Sequence, residues 1–422
     1  MAIIKVWMVI LMARFLPLCS GLVSGHDIIY HITPDFTDPC PVEPCLTLSQ
    51  FARSQAARIN TTLVLLPGKH NLESKLSFSN ISTLLMLSKR NHSGTQITCN
   101  QSGHLTFTNV HSVHISGLDF IKCAGNRVEN VEKFILEDSN FLGPGDDTAT
   151  DGAALELYSS SVIILRSSFK LYGGSILPEH RIGYTKKVNT NTGIHRIGGA
   201  IVSINSTTTI LASRFERNSA DIGGVIALYR GSLKIQDKCE FSYNQAYSDG
   251  GVINIYQGGV SISNRNSFNR NSAHNDGGVI YAFESDAVIS GVNNFDSNTA
   301  HDGGAIYTYE GNLIISYENT FSKNEARKDG GAIFAYQCNT NILEGNIFSN
   351  NKAANDGGAL HTYQQNLNIS DADFLHNSAS NDGGAIWAHE TNSTTTRNVY
   401  VQNNASNRGG VWNIYKGLLE IC

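Results

Sequence analysis

Six aspartates stand immediately before a Gly-Gly pair, at Asp249, Asp276, Asp302, Asp329, Asp356 and Asp382. They form the one convergence of acid groups in the chain. Stacked carboxylates invite a hard cation such as calcium. The competing reading, preferred here, is that each carboxylate caps its turn through the glycine amides, because Asp readily bonds nearby backbone. The nonapeptide of calcium-binding β-rolls is absent, and no metal or other cofactor is expected. A lyase needs a base beside a cation, and a glycoside hydrolase needs two carboxylates at a set separation. Here the acids are spread one per repeat, and Asp146-Asp147 stands alone in a Gly-Pro-Gly loop. His274, His301, His361, His376 and His389 share no column with zinc-ligand spacing, so solvated surface histidine is the default for each. No Gly-x-Ser-x-Gly, Walker loop or zincin pair occurs. No catalytic residue can be named, and the reading leans away from an enzyme.

A second set of residues suits binding better than catalysis. After each Gly-Gly pair the second and fourth residues are Ile306/Thr308, Ile333/Ala335, Leu360/Thr362 and Ile386/Ala388, which suits a packed interior. In a strand the third and fifth then point outward: Tyr281/Phe283, Tyr307/Tyr309, Phe334/Tyr336, His361/Tyr363 and Trp387/His389. A contiguous exposed apolar strip often marks a binding face, and flat aromatic rings suit sugar rings or a protein partner. The bland alternative is that the rings stack on one another and shield strand hydrogen bonds. This face, rather than the Asp turns, is the candidate site, with a glycan or a surface protein as its partner. A net charge of −5 with 16% charged residues argues against an electrostatic nucleic-acid footprint, and no nucleic-acid partner is expected.

What positions these residues is a repeat. Gly-Gly pairs begin at Gly198, Gly223, Gly250, Gly277, Gly303, Gly330, Gly357, Gly383 and Gly409, 25 to 27 residues apart. Phe-x-x-Asn-x-Ala precedes most of them, from Phe215/Asn218/Ala220 to Phe374/Asn377/Ala379, and Tyr400/Asn403/Ala405 is a weaker copy. Each unit reads as three short β-rich runs divided by Gly, Asn, Asp and Ser, with no helical period. Three strands per unit and no room for crossover helices predict an all-β, right-handed, three-sided parallel β-helix, a solenoid whose coils stack. Stacking makes Phe215 to Phe374 and Ile226 to Ile386 core files, and Asn218 to Asn377 a ladder of buried amides.

Taken in order, residues 1–25 read as a secretory leader: Lys5, an apolar run through Val9–Met12, then small residues near Gly21–Gly25. Eight Asn-x-Ser/Thr acceptors agree with that route: Asn60, Asn80, Asn91, Asn100, Asn205, Asn368, Asn392 and Asn404. Residues 26–60 form an N-terminal cap in which Cys40 and Cys45 tie the entrance to a short amphipathic helix over 47–58. Thr47 and Gln50 would make its capping box. Residues 61–197 are irregular coils, with a basic loop at 171–197 that carries His180, Arg181, Lys186, Lys187, His195 and Arg196. Residues 198–422 are the regular repeats, ending without a cap, so membrane association is expected only if the chain continues beyond Cys422. Cys99 and Cys123 lie 24 residues apart, about one early coil, which predicts a disulfide. Cys239 and Cys338 lie 99 apart and cannot pair in this register.

At Asp302-Gly303-Gly304-Ala305-Ile306 and Phe321-Ser322-Lys323-Asn324 the chain resembles the repeats of chlamydial polymorphic outer-membrane proteins, over about 198–417. The whole is similar to secreted or surface right-handed β-helix proteins of pectin-lyase-like shape. The resemblance implies an adhesin-like role for the bacterial relatives. This chain departs from them in its eukaryotic-looking leader and acceptors, and in showing no C-terminal barrel segment. The expectation is a non-catalytic extracellular or cell-surface recognition or structural protein. The alternative is a carbohydrate-active enzyme of the pectin-lyase-like group, which carboxylates or an Arg breaking the repeat on one face would favour.

Overall fold

The computed structural model describes residues 27–34, 45–54, 60–89, 94–100, 103–144, 152–176 and 196–421. The expected leader, Cys40, Asn91, Asp146-Asp147 and most of the basic loop lie outside them. Ser175–Ile176 and Arg196–Ile197 pair antiparallel at that loop's base.

The chain is a parallel β-solenoid. One coil runs Ile280–Phe283, Asp286–Ser290, Asn294–Asp296 and Thr299–Ala300. The first three strands are those expected. The fourth is a two-residue strand, too short to show a period, and it places the Ala column of Phe-x-x-Asn-x-Ala. Every strand pairs with its copy in the next coil, as in Ile280↔Ile306 and Phe283↔Tyr309. The third strands build a 13-stranded sheet and the fourth an eight-stranded one. First and second strands fuse into single runs at Ile306–Ser316 and Ile333–Leu343.

In-register stacking turns each column into a structural device. The Phe file is buried and stacked ring on ring, with centroids 4.3 to 4.9 Å apart from Phe120 to Phe374. It thus starts three coils before the repeat becomes regular, and each buried ring contributes about 1.5–3 kcal/mol. The Asn ladder forms as expected: Asn298 Oδ1 accepts from the backbone N–H of Asn271 at 2.9 Å, and Asn324 Oδ1 does the same for Asn298. A second ladder went unread in the sequence. Asn266, Asn293, Asn319 and Asn346, each two residues before a core Phe, are buried and linked by the same bonds at 3.0 to 3.1 Å.

The two glycines of each pair do different work. Gly303 adopts φ +63°, in the left-handed region, while a Cβ on Gly304 would lie 2.2 Å from the Gly331 carbonyl oxygen. At the N-terminal end the described helix is Leu48–Ser54, and the rest of the expected span, 55–58, lies outside the described residues. Thr47 and Gln50 make the reciprocal capping bonds, and Phe51 packs between Tyr30 and Phe78. The segment also supplies strands: Asp27–Thr33 pairs parallel with Asn60–Leu65, so the sheet begins before residue 61. Cys99 and Cys123 are bonded with Cα atoms 4.9 Å apart. Cys45 is disulfide-bonded, and Cys239 and Cys338 are buried free thiols. No helix of the described residues is long and apolar enough to cross a membrane.

Candidate functional site

The first strand of each coil carries the candidate face, and its alternation is as read: Ile306 and Thr308 are buried in the core. The third-position file, however, is only partly accessible: Tyr307 and Trp387 are half-buried and the other three rings are buried. Tyr281 is 5% exposed, Phe334 9% and His361 5%. The Asp-Gly-Gly turn doubles back over this part of the strand, which is why a Cβ on Gly303 would meet the Ile306 carbonyl at 2.2 Å. The turn acids lie beside the rings. Burial, then the charges of Asp276, Asp302 and Asp249, push the Tyr307 phenol up. His361 Nδ1 lies 3.8 Å from Asp329 Oδ1, with both side chains buried. Tyr281, Tyr307, Phe334, His361 and Trp387 stack in order at 5.3, 5.0, 4.6 and 4.1 Å. Tyr281 and Phe334 therefore leave the list of solvent-presented rings.

The fifth-position file remains accessible and is longer than the sequence reading had it. Phe283, Tyr309, Tyr336 and Tyr363 are half-buried, and the file runs on through the expected His389 to Tyr415 at one end and through Tyr256 to Tyr229, itself buried, at the other. The signal was available, since Tyr229, Tyr256 and Tyr415 hold the same place after Gly223, Gly250 and Gly409. From Phe283 to Tyr363 neighbouring rings lie 4.8 to 5.2 Å apart and within 6° of parallel. Ring faces therefore cover one another, and ring edges and hydroxyls point outward. The idea that flat rings lie open to sugar rings is corrected by this geometry.

Beside the rings runs a polar row. The next residue of every coil turns the chain with φ near +50°: Gln257, Glu284, Glu310, Gln337, Gln364 and Glu390 among them. Gln257 Nε2 donates to Glu284 at 2.7 Å, Gln337 to Gln364 at 3.2 Å, and Gln364 to Glu390 at 2.8 Å. Gly258, Glu284, Ser285, Asp286, Glu310 and Gly311 line an open groove there. Hydroxyl edges, amides and carboxylates thus recur once per coil on one accessible corner, a surface that binds by hydrogen bonds.

The Asp file is occupied by its own turns, though not through the glycine amides. Asp302 Oδ1 accepts from the Asp329 N–H and Asp329 Oδ1 from the Asp356 N–H, both at 3.0 Å. The glycine N–H groups bond the next coil's carbonyls instead, Gly303 that of Asp329 and Gly304 that of Gly330. Asp276, His301 and Asp302 offer ligand atoms within 4.8 Å of one another. Lys328 already lies 3.8 Å from Asp302 and 3.0 Å from Asp329, so a protein cation answers this charge. Of the histidines, His274, His301 and His376 are exposed as expected. His361 is not: burial lowers its pKa to about 4, outweighing the pull of Asp329. Among the glycosylation candidates Asn80, Asn100, Asn205, Asn392 and Asn404 are exposed, and Asn60 and Asn368 half-buried.

Comparison with known proteins bears on the repeats. No curated protein matches the chain. Among solved structures, PfbA, a surface adhesin of Streptococcus pneumoniae, aligns over 87% of each chain with 12% identity and a TM-score of 0.45. The catalytic domain of a GH87 alpha-1,3-glucanase in complex with nigerose aligns over 88% of this chain and 65% of its own, with 10% identity and a TM-score of 0.29. Five stretches, 267–282, 294–309, 320–336, 347–363 and 371–389, match the Chlamydia polymorphic membrane protein repeat, and in these coils the chain carries repeats of that type.

Proposed function

We propose that this is a non-catalytic recognition protein of the cell exterior, secreted or surface-held, whose ligand lies along the fifth-position corner. One observation carries the reading: ring edges and hydrogen-bonding side chains recur coil after coil on an accessible edge, beside a core that needs none of them. A periodic surface suits a periodic ligand, and a glycan chain presents hydroxyls at regular intervals. The repeat match supports a surface protein, since its family is named for a membrane protein. The leader at 1–25 would route the chain outward.

The test replaces Tyr309, Tyr336 and Tyr363 by Ser and measures binding on a glycan array and to cell surfaces. Loss of binding with an unchanged melting curve is expected. Binding that survives the triple substitution would sink the proposal.

A second reading has one observation in its favour, because Glu284, Asp286 and Glu310 border one groove. These acids are engaged as members of columns: Asp286 accepts two bonds from Asn312, and Glu284 one from Gln257. Hydrolysis of any arrayed glycan, abolished by Glu310→Gln, would decide for an enzyme.

A further inference from the structure

The Asn-x-Ser/Thr acceptors play no part in that reading, and the corner column sorts them. Strand register aligns Asn80, Asn109, Asn130, Ser159 and Asn205 with the eight corner residues from Arg230 to Lys416. All adopt φ between 46° and 56°, a conformation that Asn tolerates better than most residues. Two of the asparagines are acceptors, with the hydroxyls of Ser82 and Thr207 two residues on. They differ from their neighbours. Asn130 Nδ2 donates to Asn109 at 3.1 Å, whereas Asn80 and Asn205 are exposed and their side-chain amides make no hydrogen bond among the described residues. Asn80 lines the corner groove with Asn109 and Asn130, and Asn205 lines its continuation with Asn130 and Ser159. From Asn205 to Asn368 no further acceptor occurs.

We propose that Asn80 and Asn205 carry N-linked glycans, which close the N-terminal part of the corner groove from both ends and leave the stretch from Arg230 to Gln364 bare. The Nδ2–C1 bond forms as the C1–O bond of a lipid-linked diphospho-oligosaccharide breaks. The amide gives up one proton, and the lipid diphosphate leaves. The sugars restrict a ligand to the coils where the aromatic file is continuous. This second part rests on the recognition reading; the modification itself does not.

The full chain is secreted from a eukaryotic host and its peptides mapped before and after enzymatic removal of N-glycans, which converts an occupied Asn to Asp. Occupancy at both Asn80 and Asn205 is expected. An unmodified Asn80 or Asn205 in protein that has reached the medium overturns the inference, whatever the binding shows. The partition is tested by moving a sugar into the bare stretch. Asn368→Thr makes the exposed Asn366, two residues past Gln364, an acceptor without altering the corner row, and Thr394 already holds that column in the next coil. Binding to the arrayed glycan should fall at least tenfold in the glycosylated variant and return when the sugar is trimmed. Unchanged binding by a variant shown to be occupied at 366 overturns the partition. Loss of binding in the tyrosine triple variant is a separate readout, so its failure strikes the recognition reading and leaves occupancy standing.

Discussion

Asn298→Ala tests the solenoid's interior at a point where every bond can be counted. Asn298 Oδ1 accepts from the Asn271 N–H at 2.9 Å and from Asn271 Nδ2 at 3.1 Å. Its own Nδ2 donates to the Phe268 carbonyl and to Asn324 Oδ1, each at 3.0 Å. Truncation strands the Asn271 N–H outright, at about 1–3 kcal/mol for a buried donor without a partner. Asn271 Nδ2 keeps the Phe241 carbonyl and Asn324 Oδ1 keeps the Asn298 N–H, so these lose one bond of two. Those losses, and the bond the Phe268 carbonyl gives up, cost about 0.5–1.5 kcal/mol each, which brings the total to roughly 2.5–7.5 kcal/mol. That is a large fraction of the ~5–15 kcal/mol by which a domain is usually stable. Urea unfolding should show the loss, and hydrogen exchange should show the Asn271 amide opening faster than those four coils away, because coils couple mainly to their neighbours. Asn275→Ala is the control: that residue is exposed at a turn in the adjoining coil and does not adopt a positive φ. A variant at 298 as stable as the one at 275 would refute the ladder as a source of stability.

Acid should weaken the fold earlier than its carboxylates alone would make it. Burial lowers the His361 pKa from 6.5 to about 4, so its contribution is full above 6.5 and is lost as pH falls toward 4, by about 3 kcal/mol at most. Melting temperature measured from pH 7 to pH 4 should therefore fall less steeply in His361→Phe, which keeps a ring between Phe334 and Trp387; parallel curves would dismiss the effect. Replacing Cys99 and Cys123 by Ser should cost about 3 kcal/mol on chain-entropy grounds, read as a matching fall in urea midpoint; the wild type in reductant should follow, and insensitivity to both would show the bridge to be idle. Gly304→Ala should abolish soluble expression, since its methyl would meet the Gly331 carbonyl at 2.2 Å and backbone cannot move aside; a folded, normally melting variant would contradict the packing.

The solenoid was legible because in-register stacking repeats each residue type at a fixed period. Core Phe, ladder Asn and paired Gly are each demanded by fixed positions of the coil, so they recur there in coil after coil. The second Asn ladder obeys the same logic and could have been read from Asn-x-Phe. It was missed because Asn also favours turns, and an Asn before a strand attracts no notice. The candidate face was only half legible, for a different reason. Period-two alternation tells which way a side chain leaves the strand, but not what lies over it afterwards. Tyr281, Phe334 and His361 leave the outer face and are then covered by rings and turn acids of neighbouring coils, as Asp329 lies 3.8 Å from His361, a contact that alternation within one strand does not flag. Nor does alternation show ring orientation. Five-ångström coil spacing, together with parallel register, leaves neighbouring Tyr309 and Tyr336 no better arrangement than face to face. The same periodicity that gathers the aromatics therefore withdraws their faces from any ligand. Edges and the polar corner beside them are what a partner can reach, and residues that sequence reading passed over as turn, such as Gln337 and Glu310, become the ones to test.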